Sequence, residues 1–177
     1  MTEDHLRRIR HAGLRERVVS ADQAASLIRD GMVLGMSGFT RAGEAKAVPM
    51  ALAERAKRAP MKVTLMTGAS LGNDLDKTMA EAHLLSRRIP FMSDPALRRA
   101  INAGEVMYID QHLSETVEQL RTCQLPPVDI AIVEAVAITE TGGIVPTTSV
   151  GNSASFALLA EKAVSYTHLT LPTSDLV

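Results

Sequence analysis

The sequence has no tryptophan, one cysteine, few aromatic residues and no excess of either charge. Each shortage excludes something. Cys123 alone cannot close an internal disulfide, and a single thiol fits a reducing compartment. Nineteen basic residues against twenty acidic ones leave no cationic surplus for a phosphate backbone, so nucleic acid is not an expected partner. Aromatics at 3% deprive the chain of the stacking platforms that single-strand binders use. No apolar run approaches the roughly 18 residues of a membrane span. The N-terminal stretch MTEDHLRRIRHAG is too charged for a signal peptide. A membrane is therefore not an expected partner, and the expected location is the cytoplasm. His5, His11, His83 and His112 show no H-E-x-x-H or other ligand spacing, so no metal is expected.

What is present is an aliphatic chain of 177 residues, long enough for one domain with a substantial core. The organising stretch is Val33 to Pro49, VLGMSGFTRAGEAKAVP. An apolar run stops at Gly35, a loop with Gly38 and Gly43 follows, and a helix begins near Pro49. The same strand, glycine turn, helix logic recurs at VTLMTGASLG (63–72) and, as a variant, at GGIVPTTSVGNS (142–153). In open α/β sheets ligands bind at the carboxyl ends of strands. The three loops are read as one wall of a binding cleft. Ser20 with Gln23 predicts a capping box opening a helix that Gly31 closes. Further helices are expected over 47–59, from Asn73 or Asp74 to about His83, from Ser93-Asp94-Pro95 to Gly104, over 113–121 and over 152–162. Strands are expected at 32–36, 62–66, 106–109 and, as a run buried on both faces, 129–136, with Ile144-Val145 after the turn at 141–143. Strands alternating with helices predict an α/β fold, an open, mostly parallel sheet flanked by helices.

Several residues invite a chemical role. Gly68-Ala69-Ser70-Leu71-Gly72 fits the G-x-S-x-G nucleophile elbow and follows a strand. The rest of a serine hydrolase is poorly met. Asp110 and His112 are too close to act as separate triad members, and no HGGG-type loop precedes the motif. Ser70 as a hydroxyl donor to substrate, or as a serine satisfying its own turn, competes with the nucleophile. The Gly35, Gly38, Gly43 spacing is neither the dinucleotide fingerprint nor a P-loop, and Lys46 follows too late to be a phosphate lysine. Glu134 ends an apolar strand, where desolvation can raise a carboxyl pKa; a solvated end or a pairing charge is the simpler reading. Arg87-Arg88 and Arg98-Arg99 read as solvated faces. Cys123 has no neighbouring cation to make it a thiolate.

The segments SGFTRAGEAKAVP, TGASLGNDLD, RRIPFMSD, INAGE, HLSE, VDIAIVEAVAITETGGIVPTTSVGNS and LLAEK, in this order over residues 5–164, resemble the acetyl-CoA hydrolase/transferase family, which includes the succinyl-CoA:acetate CoA-transferases. The resemblance implies a CoA-transferase-like N-terminal domain, truncated, with the active site shared with a second half. It implies transfer of CoA from an acyl-CoA to a small carboxylate through a glutamyl-CoA thioester. The nucleophilic glutamate belongs to that other half, so no catalytic residue is assigned here, and neither Glu44 nor Glu134 takes its place. Gly38, Phe39, Thr40, Ser70 and Ser93 are the substrate-binding positions carried over. CoA enters as substrate, no cofactor is implied, and the full-length protein is expected to be a homodimer. Domain boundaries follow: 1–164 as an incomplete N-terminal domain, and 165–177, SYTHLTLPTSDLV, as a non-native or disordered tail that resembles translated sequencing-adapter sequence. The fragment is expected to be inactive alone. An acetyl-CoA hydrolase of the same family, a serine hydrolase using Ser70 and a non-enzymatic ligand-binding domain are the competing readings.

Overall fold

The computed structural model of the chain describes residues 6–36, 38, 39, 42–69 and 73–166, with backbone only at 73, 74 and 166. The elements run α1 (Ala12–Arg15), α2 (Ala21–Ser26), β1 (Val33–Met36), α3 (Ala47–Arg58), β2 (Val63–Met66), α4 (Asn73–Glu81), β3 (Leu85–Ile89), α5 (Pro95–Asn102), β4 (Met107–Tyr108), α6 (Leu113–Arg121), β5 (Ile130–Ile138), β6 (Ile144–Pro146), α7 (Ser153–Leu159) and β7 (Lys162–Tyr166). The seven strands form one mixed, mostly parallel sheet in the order β4-β3-β2-β1-β5-β6. β7 runs parallel to the first half of β5, and β6 runs antiparallel to its second half.

β1 is the hinge of the topology. The chain winds from β1 through β2 and β3 to β4 on one side, then returns with β5 on the other. Every residue of β1 is buried because helices cover both faces. Alternation sorts the core: Leu34, Leu65 and Ile132 point to the face covered by α2, α3 and α4, while Val33, Met66, Ala131 and Val133 meet Leu120 and Phe156 of α6 and α7. The second face is closely packed. A Cβ at Gly35 would stand 2.8 Å from Phe156 Cγ, so only glycine lets α7 lie this near β1.

Local chemistry explains most element ends. The capping box forms as expected, with Gln23 N–H donating to Ser20 Oγ at 3.1 Å and Ser20 N–H donating to Gln23 Oε1 at 2.9 Å. Asp94 Oδ1 accepts from the Ala96 and Leu97 amides at 2.8 Å, with Pro95 at the first helical position.

Three expectations need correction. α2 stops at Ser26, well before Gly31. Arg55 of α3 binds the end of the helix, its Nη1 donating to the Ala25 and Ile28 carbonyls at 2.8 and 2.6 Å. Gly31, at φ +82°, instead turns the chain into β1. The second correction is β3, whose sequence LSRRI carries two consecutive arginines and was expected to be a solvated face. Arg88 is fully buried there. Third, β7 continues through Ser165 and Tyr166, which the sequence reading placed in the tail; residues 167–177 lie outside the described residues.

Candidate functional site

The parallel strands β1, β2, β3 and β5 end on one rim, and the sheet order reverses beside β1. An open α/β sheet binds its ligands outside the carboxyl ends at such a reversal. The loops expected to form a wall are in contact there. Gly43, at φ +73°, lies so close to the β6–α7 loop that a Cβ would stand 2.3 Å from the Ser149 carbonyl oxygen. Asn152 Nδ2, at the start of α7, donates to the Thr67 carbonyl at the end of β2 at 3.3 Å.

Gly38 is buried inside the first loop, where a Cβ would stand 2.6 Å from the Ala42 carbonyl oxygen. Phe39 and Ala42 exchange backbone hydrogen bonds of 2.8 and 3.0 Å in a tight return. That return turns the Phe39 ring outward, 62% exposed. Ser93 is exposed in the loop between β3 and α5, next to the buried Asp94 that caps the helix. Thr40 and Ser70 lie outside the described residues.

Buried polar groups sit beneath the rim. Glu134 of β5 is 8% exposed. Its Oε2 accepts from Thr147 Oγ1 at 2.8 Å, and its Oε1 stands 3.9 Å from Lys46 Nζ. The carboxylate therefore belongs to the pairing charges. Thr147 and Lys46 hold it between the first and third loops.

A further group is centred on Arg88. Its Nε and Nη2 donate to Asp76 Oδ1 and Oδ2 at 3.2 and 3.1 Å, a two-pronged pair with both side chains wholly buried. Its Nη1 donates to Thr67 Oγ1 at 2.8 Å and to the Ile89 carbonyl at 3.0 Å. Burial pushes the Asp76 carboxyl above its ordinary value of 3.8, against the lowering effect of the Arg88 guanidinium.

Sequence reasoning missed Arg88, Thr67, Asn152 and Phe91. No local signal marked Arg88, because a buried guanidinium needs a carboxylate partner and that partner, Asp76, lies twelve positions away. Phe91 is 49% exposed on the loop that carries Ser93. Of the three phenylalanines in the chain, two stand exposed on this rim and only Phe156 is buried. His112, weighed as a triad member, spends its Nδ1 at the start of α6, 2.8 Å from Ser114 Oγ. Among the described residues the rim carries the exposed rings of Phe39 and Phe91 and the exposed Ser93.

Residues 3–173 match the family model for the acetyl-CoA hydrolase/transferase N-terminal domain. The chain belongs to the acetyl-CoA hydrolase/transferase family. Among characterised members, it is 46% identical over 160 residues to the succinyl-CoA:acetate CoA-transferase of Clostridium kluyveri, covering 89% of this chain and 30% of that one. It is 35% identical over 181 residues to the acetyl-CoA hydrolase of Schizosaccharomyces pombe, covering 95% of this chain and 34% of that one. The chain thus spans about a third of the length of the relatives it matches. Glutaconate coenzyme A-transferase from Acidaminococcus fermentans shares the fold at a TM-score of 0.65 and 12% identity, over 83% of this chain and 67% of that one. The decarboxylase AibA/AibB superposes with the same TM-score at 20% identity, over 83% of this chain and 72% of that one. These two likenesses concern architecture alone.

Proposed function

We propose that this chain, through the end of β7, belongs to the N-terminal domain of an acyl-CoA:carboxylate CoA-transferase and forms the wall that receives the acyl group and the acceptor carboxylate. The observation that carries the reading is the 46% identity to a succinyl-CoA:acetate CoA-transferase, on a chain whose three carboxyl-end loops meet at one rim. A glutamate outside these residues attacks the thioester carbonyl and expels CoA thiolate, leaving an acyl-glutamyl anhydride. The thiolate then attacks the glutamyl carbonyl and releases the carboxylate, leaving glutamyl-CoA. The acceptor carboxylate runs the two steps in reverse. Gly38, Phe39, Thr40, Ser70 and Ser93 bind the small carboxylate end through backbone amides and hydroxyls. CoA is substrate, no separate cofactor takes part, and the full-length protein works as a cytoplasmic homodimer.

A second reading has its own support, because the fission yeast relative is named an acetyl-CoA hydrolase. Water then takes the place of the acceptor. The complete product of the gene separates the two when incubated with acyl-CoA in the presence and absence of acetate, succinate or propanoate. Transfer predicts a new acyl-CoA that appears only with an acceptor. Hydrolysis predicts free CoA at a rate that no carboxylate changes. The 177-residue chain by itself is expected to do neither, and CoA transfer by it alone would contradict the reading.

A further inference from the structure

We infer that Thr67, held by Arg88 and Asn152, is a positioning residue that sets the geometry of the carboxyl-end rim for acyl transfer; this inference rests on the transferase reading of that rim. Thr67 is fully buried and is the first residue after β2, where the TGAS loop leaves the sheet. Its amide, hydroxyl and carbonyl are all engaged. Its amide donates to the Ile89 carbonyl of β3 at 2.8 Å. Its hydroxyl accepts from Arg88 Nη1 at 2.8 Å. Its carbonyl accepts from Asn152 at 3.3 Å, and the same amide group donates to the Leu113 carbonyl at the start of α6 at 3.4 Å.

Arg88 makes the arrangement more than a packing detail. A guanidinium buried beside a carboxylate contributes little net stability, because desolvation offsets the attraction and an apolar pair of similar volume serves as well. What the planar fork supplies is direction. Its two prongs on Asp76 fix it to α4, and its third donor reaches both Thr67 and the Ile89 carbonyl. One rigid plane thereby locks the end of β2 to the end of β3, whose next loop carries Phe91 and Ser93. Asn152 locks the same point to the starts of α6 and α7. The rim is fixed from beneath before any substrate arrives, which is what transfer between two bound carboxylates requires.

The test uses the complete gene product with Thr67→Val, which removes the hydroxyl at nearly constant volume, and Thr67→Ser, which keeps it. Steady-state kinetics and amide exchange are read on both. Thr67→Val is expected to lower kcat for CoA transfer on the order of 10²-fold per folded enzyme, the scale expected of about 1 Å of misplacement. KM for acyl-CoA is expected to stay within about twofold of wild type. Exchange in peptides covering 66–75 and 89–94 should rise about tenfold, while β1 and α3 stay protected. Thr67→Ser should restore both. Unchanged kcat with loosened exchange makes the network structural only and overturns the inference, as does a Thr67→Ser enzyme no better than Thr67→Val. Should Thr67→Val fail to fold, Asn152→Ala removes the clamp from a half-buried position and must show the same split between kcat and KM. A folded wild type that transfers no CoA defeats the transferase reading instead; the exchange pattern then decides the clamp alone, and unchanged protection at 66–75 overturns it.

Discussion

At the scale of single residues, the account turns on charges that the sheet hides. Arg88 and Asp76 have no solvent to share their field, so each depends on the other. Arg88→Met should destabilise the protein by about 3–5 kcal/mol in chemical denaturation, because it strands a buried carboxyl. Asp76→Asn should cost at least as much, since it leaves a permanently charged guanidinium buried without a counter-charge and turns an amide donor toward one of its prongs. The raised pKa of Asp76 gives the pair a pH signature. The folded state holds this proton more tightly than the unfolded chain, so the Asp76 contribution is complete below the ordinary value of 3.8 and is lost as pH rises through the higher folded value. Measured as wild type minus Asp76→Asn, the unfolding free energy should therefore fall as pH is raised from about 4 toward neutrality. A difference that grows with pH would contradict the burial-dominated cause. Neither residue announced itself in the sequence: an arginine pair reads as surface until its partner, twelve positions earlier, is brought beneath the strand.

At the scale of elements, the helices were legible where a cap or a breaker wrote their ends. Ser20 with Gln23, Asp94 with Pro95, and Gly104 after α5 are short-range signals, and the structure uses all of them. Strand β3 was illegible because LSRRI has neither alternation nor an apolar run, and its buried arginine is satisfied only by tertiary contacts. The end of α2 was also misplaced, and Arg55 binds it from thirty residues away. Packing between elements makes its own prediction at Gly35. A Cβ there meets Phe156 Cγ at 2.8 Å and Val128 Cγ1 at 3.1 Å, both in the core. Gly35→Ala should push α7 off the sheet and cost about 1–3 kcal/mol by thermal or chemical unfolding. Because Asn152 immediately precedes α7, the same change should loosen amide exchange near Thr67. Wild-type stability in Gly35→Ala would mean that α7 yields freely.

At the scale of the whole molecule, the reversal of strand order beside β1 gathers chemistry that lies far apart in sequence. The parallel, helix-flanked sheet followed from alternating strand and helix patterns. The meeting of Gly43 with Ser149 and of Thr67 with Asn152 did not, because non-local register is set by the order β2-β1-β5 and not by any local motif. The glycine loops gave the rim's location, and the resemblance to CoA-transferases gave its candidate residues Gly38, Phe39 and Ser93. The buried supports under the rim emerged only from the packed structure. The characterised relatives are named CoA-transferase and acetyl-CoA hydrolase, and the central claim is that this rim serves transfer to a carboxylate.

The most direct measurement gives the complete gene product acetyl-CoA and isotopically labelled succinate or propanoate and follows the CoA esters by mass spectrometry. The account predicts labelled acyl-CoA formed faster than free CoA, and dependent on the added carboxylate. Free CoA alone, at a rate indifferent to the acceptor, would contradict it.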